Sequence, residues 1–313
     1  MRWRPHRLVT TTAALTVAAL TLGGCHAQVD GAPPVPTAAP LTVVAPLGTM
    51  APLPERPPDE PAFAFAGLAD RTAQATAQAA DSGADLTVAV LDRNTGQLVT
   101  NRNDRTIAIA SVVKLFIADD LLLQVAEGTT TLSPQDRQAL DVMLRASDDS
   151  AAEVFWNRSG GSAIIDRVVA RYGLSSTQRP GNGRWFNTVS TVTDLVSYYD
   201  KLLAGSGGLP AEQARIILDN LAASTPTAPD GMVPGGVYPQ RFGIPEGLPR
   251  ERVAVKQGWM CCIGADWMHL STGVIGADRR YVMAIAAMQP GDAETARRTL
   301  TDAVRTLFPE GQI

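Results

Sequence analysis

A chain of 313 residues with 45% hydrophobic and 19% charged side chains has ordinary globular composition and enough apolar mass for a large core. The formal net charge of -4 and the short basic clusters, none interleaved with aromatics, give no electrostatic case for nucleic acid. Of the three histidines His6 and His26 lie near the start and only His269 further on, so no zinc constellation is available and no Ser-His-Asp triad is suggested.

In chain order, Arg2, Arg4 and Arg7 form a positive region ahead of the apolar run "LVTTTAALTVAALTL" (8–22). This reads as a secretion signal over residues 1–25, too short and polar for a confident membrane span. "LGGC" at 22–25 resembles the lipobox of bacterial lipoproteins. That resemblance implies lipidation at Cys25 and an exported protein anchored to the outer face of the plasma membrane. An ordinary secretory signal with a chance cysteine is the alternative. Residues 26–62 carry ten prolines and no hydrophobic period, which predicts an extended tether.

From 63 to 313 the sequence alternates helical and strand patterns. Residues 64–83 look like an amphipathic helix ending at Gly83. Residues 86–103 read as a hairpin around an Asn-Thr-Gly turn. An apolar helix over 111–127 stops at Gly128, and Ser133-Pro134 opens the next. Further helices are expected at 148–158, 162–172, 192–204 and 210–221, then loop over 225–249. Strand-like runs at 252–259, 266–276 and 279–288 precede a closing helix at 294–308. Strands at both ends with helices between predict an α/β fold of two lobes. One is an antiparallel sheet flanked by the first and last helices, the other is all helical. The adjacent Cys261 and Cys262 can form only a strained ring with each other, so strand alternation is expected to bury one and turn the other elsewhere.

Three short stretches carry possible chemistry. Ser111 begins the apolar helix and Lys114 lies three residues on, on the same face. A buried lysine near another cation loses proton affinity and can take the proton of a neighbouring serine. Alone, Ser-x-x-Lys is common by chance. Ser147, Asp148 and Asp149 stand at a helix start, where a cap with dipole-complementing acids is the bland explanation. Lys256, Gln257 and Gly258 end a late strand, and glycine there permits close backbone approach. Trp259 follows, and it and Trp185 are candidates for a cleft wall or for ordinary packing.

In this order the three stretches resemble the serine penicillin-recognising superfamily, the class A β-lactamases and D-alanyl-D-alanine peptidases. The resemblance runs from about residue 64 to 310 and implies a β-lactamase/transpeptidase-like fold. It implies Ser111 as nucleophile, Lys114 as neutral base, Ser147 as proton relay and Lys256 as the cation that holds Lys114 neutral and attracts a substrate carboxylate. The backbone N–H groups of Ser111 and Trp259 would form an oxyanion hole, with Asp149, Gln257 and Gly258 also touching substrate. It implies no metal and no organic cofactor.

Several positions depart from the family pattern. Asp149 replaces an asparagine and Gln257 a hydroxyl residue, and the 36 residues from Ser111 to Ser147 imply a trimmed helical lobe. The stretch 177–195 holds no glutamate; its nearest match to the deacylating motif of class A, Gly183-Arg184-Trp185-Phe186-Asn187, keeps only the asparagine. The expected function is an envelope serine hydrolase working through a Ser111 acyl-enzyme on a β-lactam or a peptidoglycan-type amide, with slow deacylation and a place in antibiotic response. The alternatives are a peptidase-like penicillin-binding protein and a non-catalytic lipoprotein that binds cell wall. The expected partners are a small-molecule or peptide substrate carrying a carboxylate, and the membrane through the lipid anchor.

Overall fold

The computed structural model describes residues 63–313. Cys25, the signal over 1–25 and the tether over 26–62 lie outside the described residues. After a short 3-10 turn the chain forms α1 (Leu68–Asp81), β1 (Asp85–Asp92), β2 (Gln97–Thr100) and β3 (Ile107–Ala108). Then come α2 (Lys114–Ala126), α3 (Pro134–Arg145), α4 (Asp149–Arg158), α5 (Ala163–Tyr172), β4 (Val189–Ser190), α6 (Val192–Ala204) and α7 (Ala211–Ala222). The last part holds β5 (Thr227–Pro229), β6 (Val237–Pro239), α8 (Ile244–Gly247), β7 (Val253–Ile263), β8 (Asp266–Ile275), β9 (Tyr281–Pro290) and α9 (Ala293–Leu307).

The five-stranded sheet runs in the order β2-β1-β9-β8-β7, every pair antiparallel. Its two faces follow from the period-2 alternation of side chains. On β9, Tyr281, Met283, Ile285 and Ala287 join the core shared with α1 and α9. Val282, Ala284, Ala286 and Met288 join the core shared with the helices of the other lobe. A central strand covered on both sides therefore reads as one apolar run. The buried Leu300, Val304 and Leu307 on α9 seal the outer face, each worth about 2 kcal/mol of burial. The α/β two-lobe architecture expected from the sequence is the one observed.

Local signals place the helices. Ser133 and Asp136 form a reciprocal capping box at α3, and the Asp148 side chain caps α4 through the Ala151 N–H. The acidic pair at 148–149 thus divides its work: Asp148 caps and Asp149 is free to face the cleft.

The structure corrects three expectations. Ser111 does not open an α-helix; it sits in a 3-10 turn, Ala110–Val113, and α2 begins at Lys114. The segment 225–249 is not all loop but contains the β5–β6 hairpin and α8. Cys261 and Cys262 are bonded to each other in a vicinal disulfide, and neither is buried. Their place explains the last point: they stand where the β7–β8 register shifts, between Met260 and Ile263, so strict alternation does not apply to them.

Candidate active site

The first two motifs meet where α2 and α4 start, and β7, the edge strand of the sheet, runs past both. The turn carrying Ser111 is fixed from two sides. Ile109 N–H donates to the Thr188 carbonyl (2.9 Å), next to the β3–β4 pairing. Gly258 on β7 lies against the same turn, where an added Cβ would come 2.5 Å from the Ile109 carbonyl oxygen. The glycine is there because the strand and the Ser111 turn approach too closely for a side chain. Ala110 (φ 43°) and Ser147 (φ 57°) are non-glycine residues held in the left-handed region, the kind of backbone strain that collects at functional sites.

Four side chains form one hydrogen-bonded line. Lys114 Nζ lies 2.9 Å from Ser111 Oγ and 3.3 Å from Ser147 Oγ, and donates to the Ser147 carbonyl at 2.7 Å. Lys256 Nζ donates to Ser147 Oγ from the other side at 2.6 Å. Both lysines are buried, Lys114 at 0% and Lys256 at 1% exposure. Ser111, Lys114, Ser147 and Lys256, expected together from the sequence, converge.

Asp149 changes the electrostatics of this line. Its Oδ1 lies 2.6 Å from Lys114 Nζ, an ion pair in which the lysine is hidden and the carboxylate is 47% exposed. Burial pulls Lys114 below the usual lysine value, and the charge of Asp149 pulls it back up. Lys256 is pulled well below the usual value, by burial first and then by the charge of Lys114; Asp149 opposes this from further off. A carboxylate thus stands beside Lys114 where the family pattern has an amide, and its charge favours the protonated form of that lysine.

Gln257 is the second correction. Alternation along β7 turns Lys256, Gly258 and Met260 toward the helical lobe and Gln257 toward the opposite face. Its side chain is 1% exposed and its Nε2 lies 3.4 Å from Ser271 Oγ, away from the cleft. Trp259, on that face too, stacks on Tyr238 with ring centroids 4.5 Å apart and borders the cleft at the sheet edge.

The cleft above Ser111 has a volume of about 380 Å³. Trp185 and Phe186 form one wall, Trp259, Met260 and Cys261 another, and Gly231 and Met232 a third. Trp185 lies over Lys114 Nζ at 4.8 Å and donates its indole N–H to Glu153 Oε2 at 3.0 Å. Glu153 also borders the cleft and was not singled out from the sequence, although it lies one helical turn beyond Asp149 on α4. Gly231, Met232 and Cys261 were likewise missed; Cys261 N–H donates to Met232 Sδ across the opening (3.2 Å). His269 is fully buried beneath Tyr238, whose hydroxyl lies 2.6 Å from its Nε2, and takes no part in the line. Among the described residues no three His, Cys, Asp or Glu side chains converge as a metal site.

The two-lobe α/β scaffold is of the β-lactamase-like fold class, and comparison with solved structures shows the same fold. The reconstructed ancestral Gram-negative class A β-lactamase matches with a TM-score of 0.62 at 20% identity, over 77% of this chain and 99% of that one. A β-lactamase from Chitinophaga pinensis gives 0.63 at 15% identity, over 78% and 100%. The class A β-lactamase from Mycobacterium abscessus gives 0.60 at 20%, over 77% and 98%. No family model matches the sequence. The chain is 55% identical over 322 aligned positions to the protein named "Putative lipoprotein LppW" in Mycobacterium tuberculosis H37Rv and in Mycobacterium bovis AF2122/97, covering 100% of each partner. The chain belongs to this LppW family.

Proposed function

We propose that the protein is an exported serine hydrolase or acyltransferase that works through a Ser111 acyl-enzyme. One observation carries the reading: the unbroken line Ser111, Lys114, Ser147, Lys256, with both amines buried and the serine opening into a cleft. A binding module has no use for two desolvated lysines.

The proton path follows from that line. Lys114, as the free amine, takes the proton of Ser111 as Oγ attacks the acyl carbonyl, and Ser147 links it to Lys256. The backbone N–H groups of Ser111 and Trp259 would hold the oxyanion. Ser147 returns a proton to the leaving atom when the tetrahedral adduct collapses. Water or an acceptor amine then releases the acyl group. The charge of Asp149 favours the protonated form of Lys114, which slows the first step. With no glutamate between 177 and 195, the acyl-enzyme is expected to empty slowly. Transfer to an acceptor, as in a peptidase-like penicillin-binding protein, is the second reading favoured by that absence.

The motif resemblance points to acyl donors of the β-lactam and peptidoglycan-amide type. A place at the envelope rests on the "LGGC" signal at 22–25 and on the lipoprotein name of the relatives. Residues 1–25 act as the signal, Cys25 takes the lipid, 26–62 tether, and 63–313 catalyse. No helix among the described residues is long and apolar enough to cross a membrane.

Release of p-nitrophenol from an uncharged phenylpropanoate ester tests the reading. Full-length protein in detergent should turn over, and Ser111→Ala and Lys114→Met should each lose activity by at least about a hundredfold. Turnover equal in wild type and Ser111→Ala would end it.

A further inference from the structure

The charges facing the cleft are opposite to those the sequence leads one to expect. Asp149 and Glu153 both border it, one turn apart on α4. Glu153 accepts from Trp185 Nε1 and from Asn157 Nδ2, each at 3.0 Å, and has no ion-pair partner among the described residues. Asp149 has one, but Lys114 is hidden behind it, so the carboxylate meets the cleft and the ammonium does not. No lysine, arginine or histidine side chain is among the described residues that border the opening. Lys256, the expected carboxylate anchor, is buried and bonded to Ser147, and Gln257 is turned to the far face of the sheet.

The remaining walls point the same way independently. Trp185, Phe186 and Trp259 line the opening. Aromatic faces attract cations through their quadrupole, most strongly where water is excluded. Aromatic walls with carboxylates among them, and a cation only behind them in the hidden Lys114, suit a substituted ammonium and repel a carboxylate.

We propose that this cleft selects acyl donors that carry an ammonium group and no carboxylate. The inference rests on the acyl-enzyme reading for its chemistry, though the charge preference can be measured without it. It replaces the carboxylate-bearing substrate expected from the motifs.

The test uses three p-nitrophenyl 3-phenylpropanoates with the ring bearing para-aminomethyl, para-methyl or para-carboxymethyl. Full-length protein in detergent at low salt is assayed with each, and kcat/KM compared. The cationic ester should exceed the anionic one by tenfold or more, about 1.4 kcal/mol, and the ratio should shrink as salt is raised. Glu153→Gln should lower the ratio severalfold. In parallel, quenching of tryptophan fluorescence compares the unreactive 3-phenylpropylammonium with 3-phenylpropanoate. Ser111-dependent turnover with the anionic ester equal or preferred would overturn the inference and leave the functional reading standing. Absent turnover with tighter ammonium binding would remove the functional reading and keep the charge preference. Absent turnover and no preference would overturn both.

Discussion

Replacing Asp149 by asparagine keeps an acceptor beside Lys114 and removes its charge. The two charges lie 2.6 Å apart. At that separation they attract by about 1.6 kcal/mol at the dielectric of bulk water and by about 3 kcal/mol at an effective value of roughly 40. The carboxylate is 47% exposed, so solvent screening favours the lower part of that range. At about 1.4 kcal/mol per pKa unit, Lys114 should lose about 1 to 2 units. The sign is fixed: without the anion the ammonium sheds its proton more easily. The acid limb of kcat/KM against pH should therefore move down by about 1 to 2 pH units in Asp149→Asn, with a rise of about tenfold at pH 7 if wild type lies on that limb. Hydrolysis of the uncharged ester between pH 5 and 10 reads this directly. A limb that stays within about 0.3 units, or moves up, refutes the role given to Asp149.

Other expectations follow from the same geometry. His269 has its pKa pushed down to about 3 by burial, so its share of stability is present above the unfolded value and fades as pH falls below about 6.5. Between pH 7 and 5 wild type should lose about 2 kcal/mol that His269→Gln does not, read from denaturant curves; parallel losses in both proteins would count against it. Arg171 pairs with the buried Asp119, so Arg171→Met should cost about 3 to 5 kcal/mol and lower the melting midpoint by roughly 10 °C. A change of under about 2 °C would mean the carboxyl is already neutral in the fold. Gly258→Ala would force Ile109 to move, and kcat should fall by about tenfold or more with little change in KM; an unchanged kcat would show that the turn yields freely. Reducing Cys261–Cys262 adds two hydrogens and makes two thiols available to alkylation. Because Cys261 borders the cleft, kcat/KM should fall severalfold and recover on reoxidation, whereas equal rates in both forms would exclude a part in shaping the site.

The line of four side chains was legible because each member sits in a short local pattern. Ser111 and Lys114 share a helical face at three-residue spacing, and Lys256 lies on a strand with a clear apolar alternation. The fold was legible for a related reason: the run at 281–288 is apolar at every position because helices cover both faces of its strand. Gln257 was misplaced because motif order was read without applying the alternation that points Lys256 inward and its neighbour outward. Glu153 was missed although the i, i+4 step from Asp149 puts it on the same face of α4. The β5–β6 hairpin was hidden by its own composition: Pro229 and Pro239 end its two short strands, and such residues read as loop. The pairing of Cys261 with Cys262 depends on a register shift between two strands, which no local pattern in either strand announces.

The central claim is that Ser111 is an activated nucleophile, and a covalent label reads it most directly. An uncharged alkyl fluorophosphonate transfers its phosphonyl group to an activated serine, with fluoride and a proton leaving, and the bond does not turn over. Intact-protein mass spectrometry of the full-length chain should show one adduct, mapped by peptide sequencing to Ser111, absent from Ser111→Ala and slowed by at least about a hundredfold in Lys114→Met. An unlabelled wild type, or a label that persists in Ser111→Ala, would contradict the acyl-enzyme mechanism.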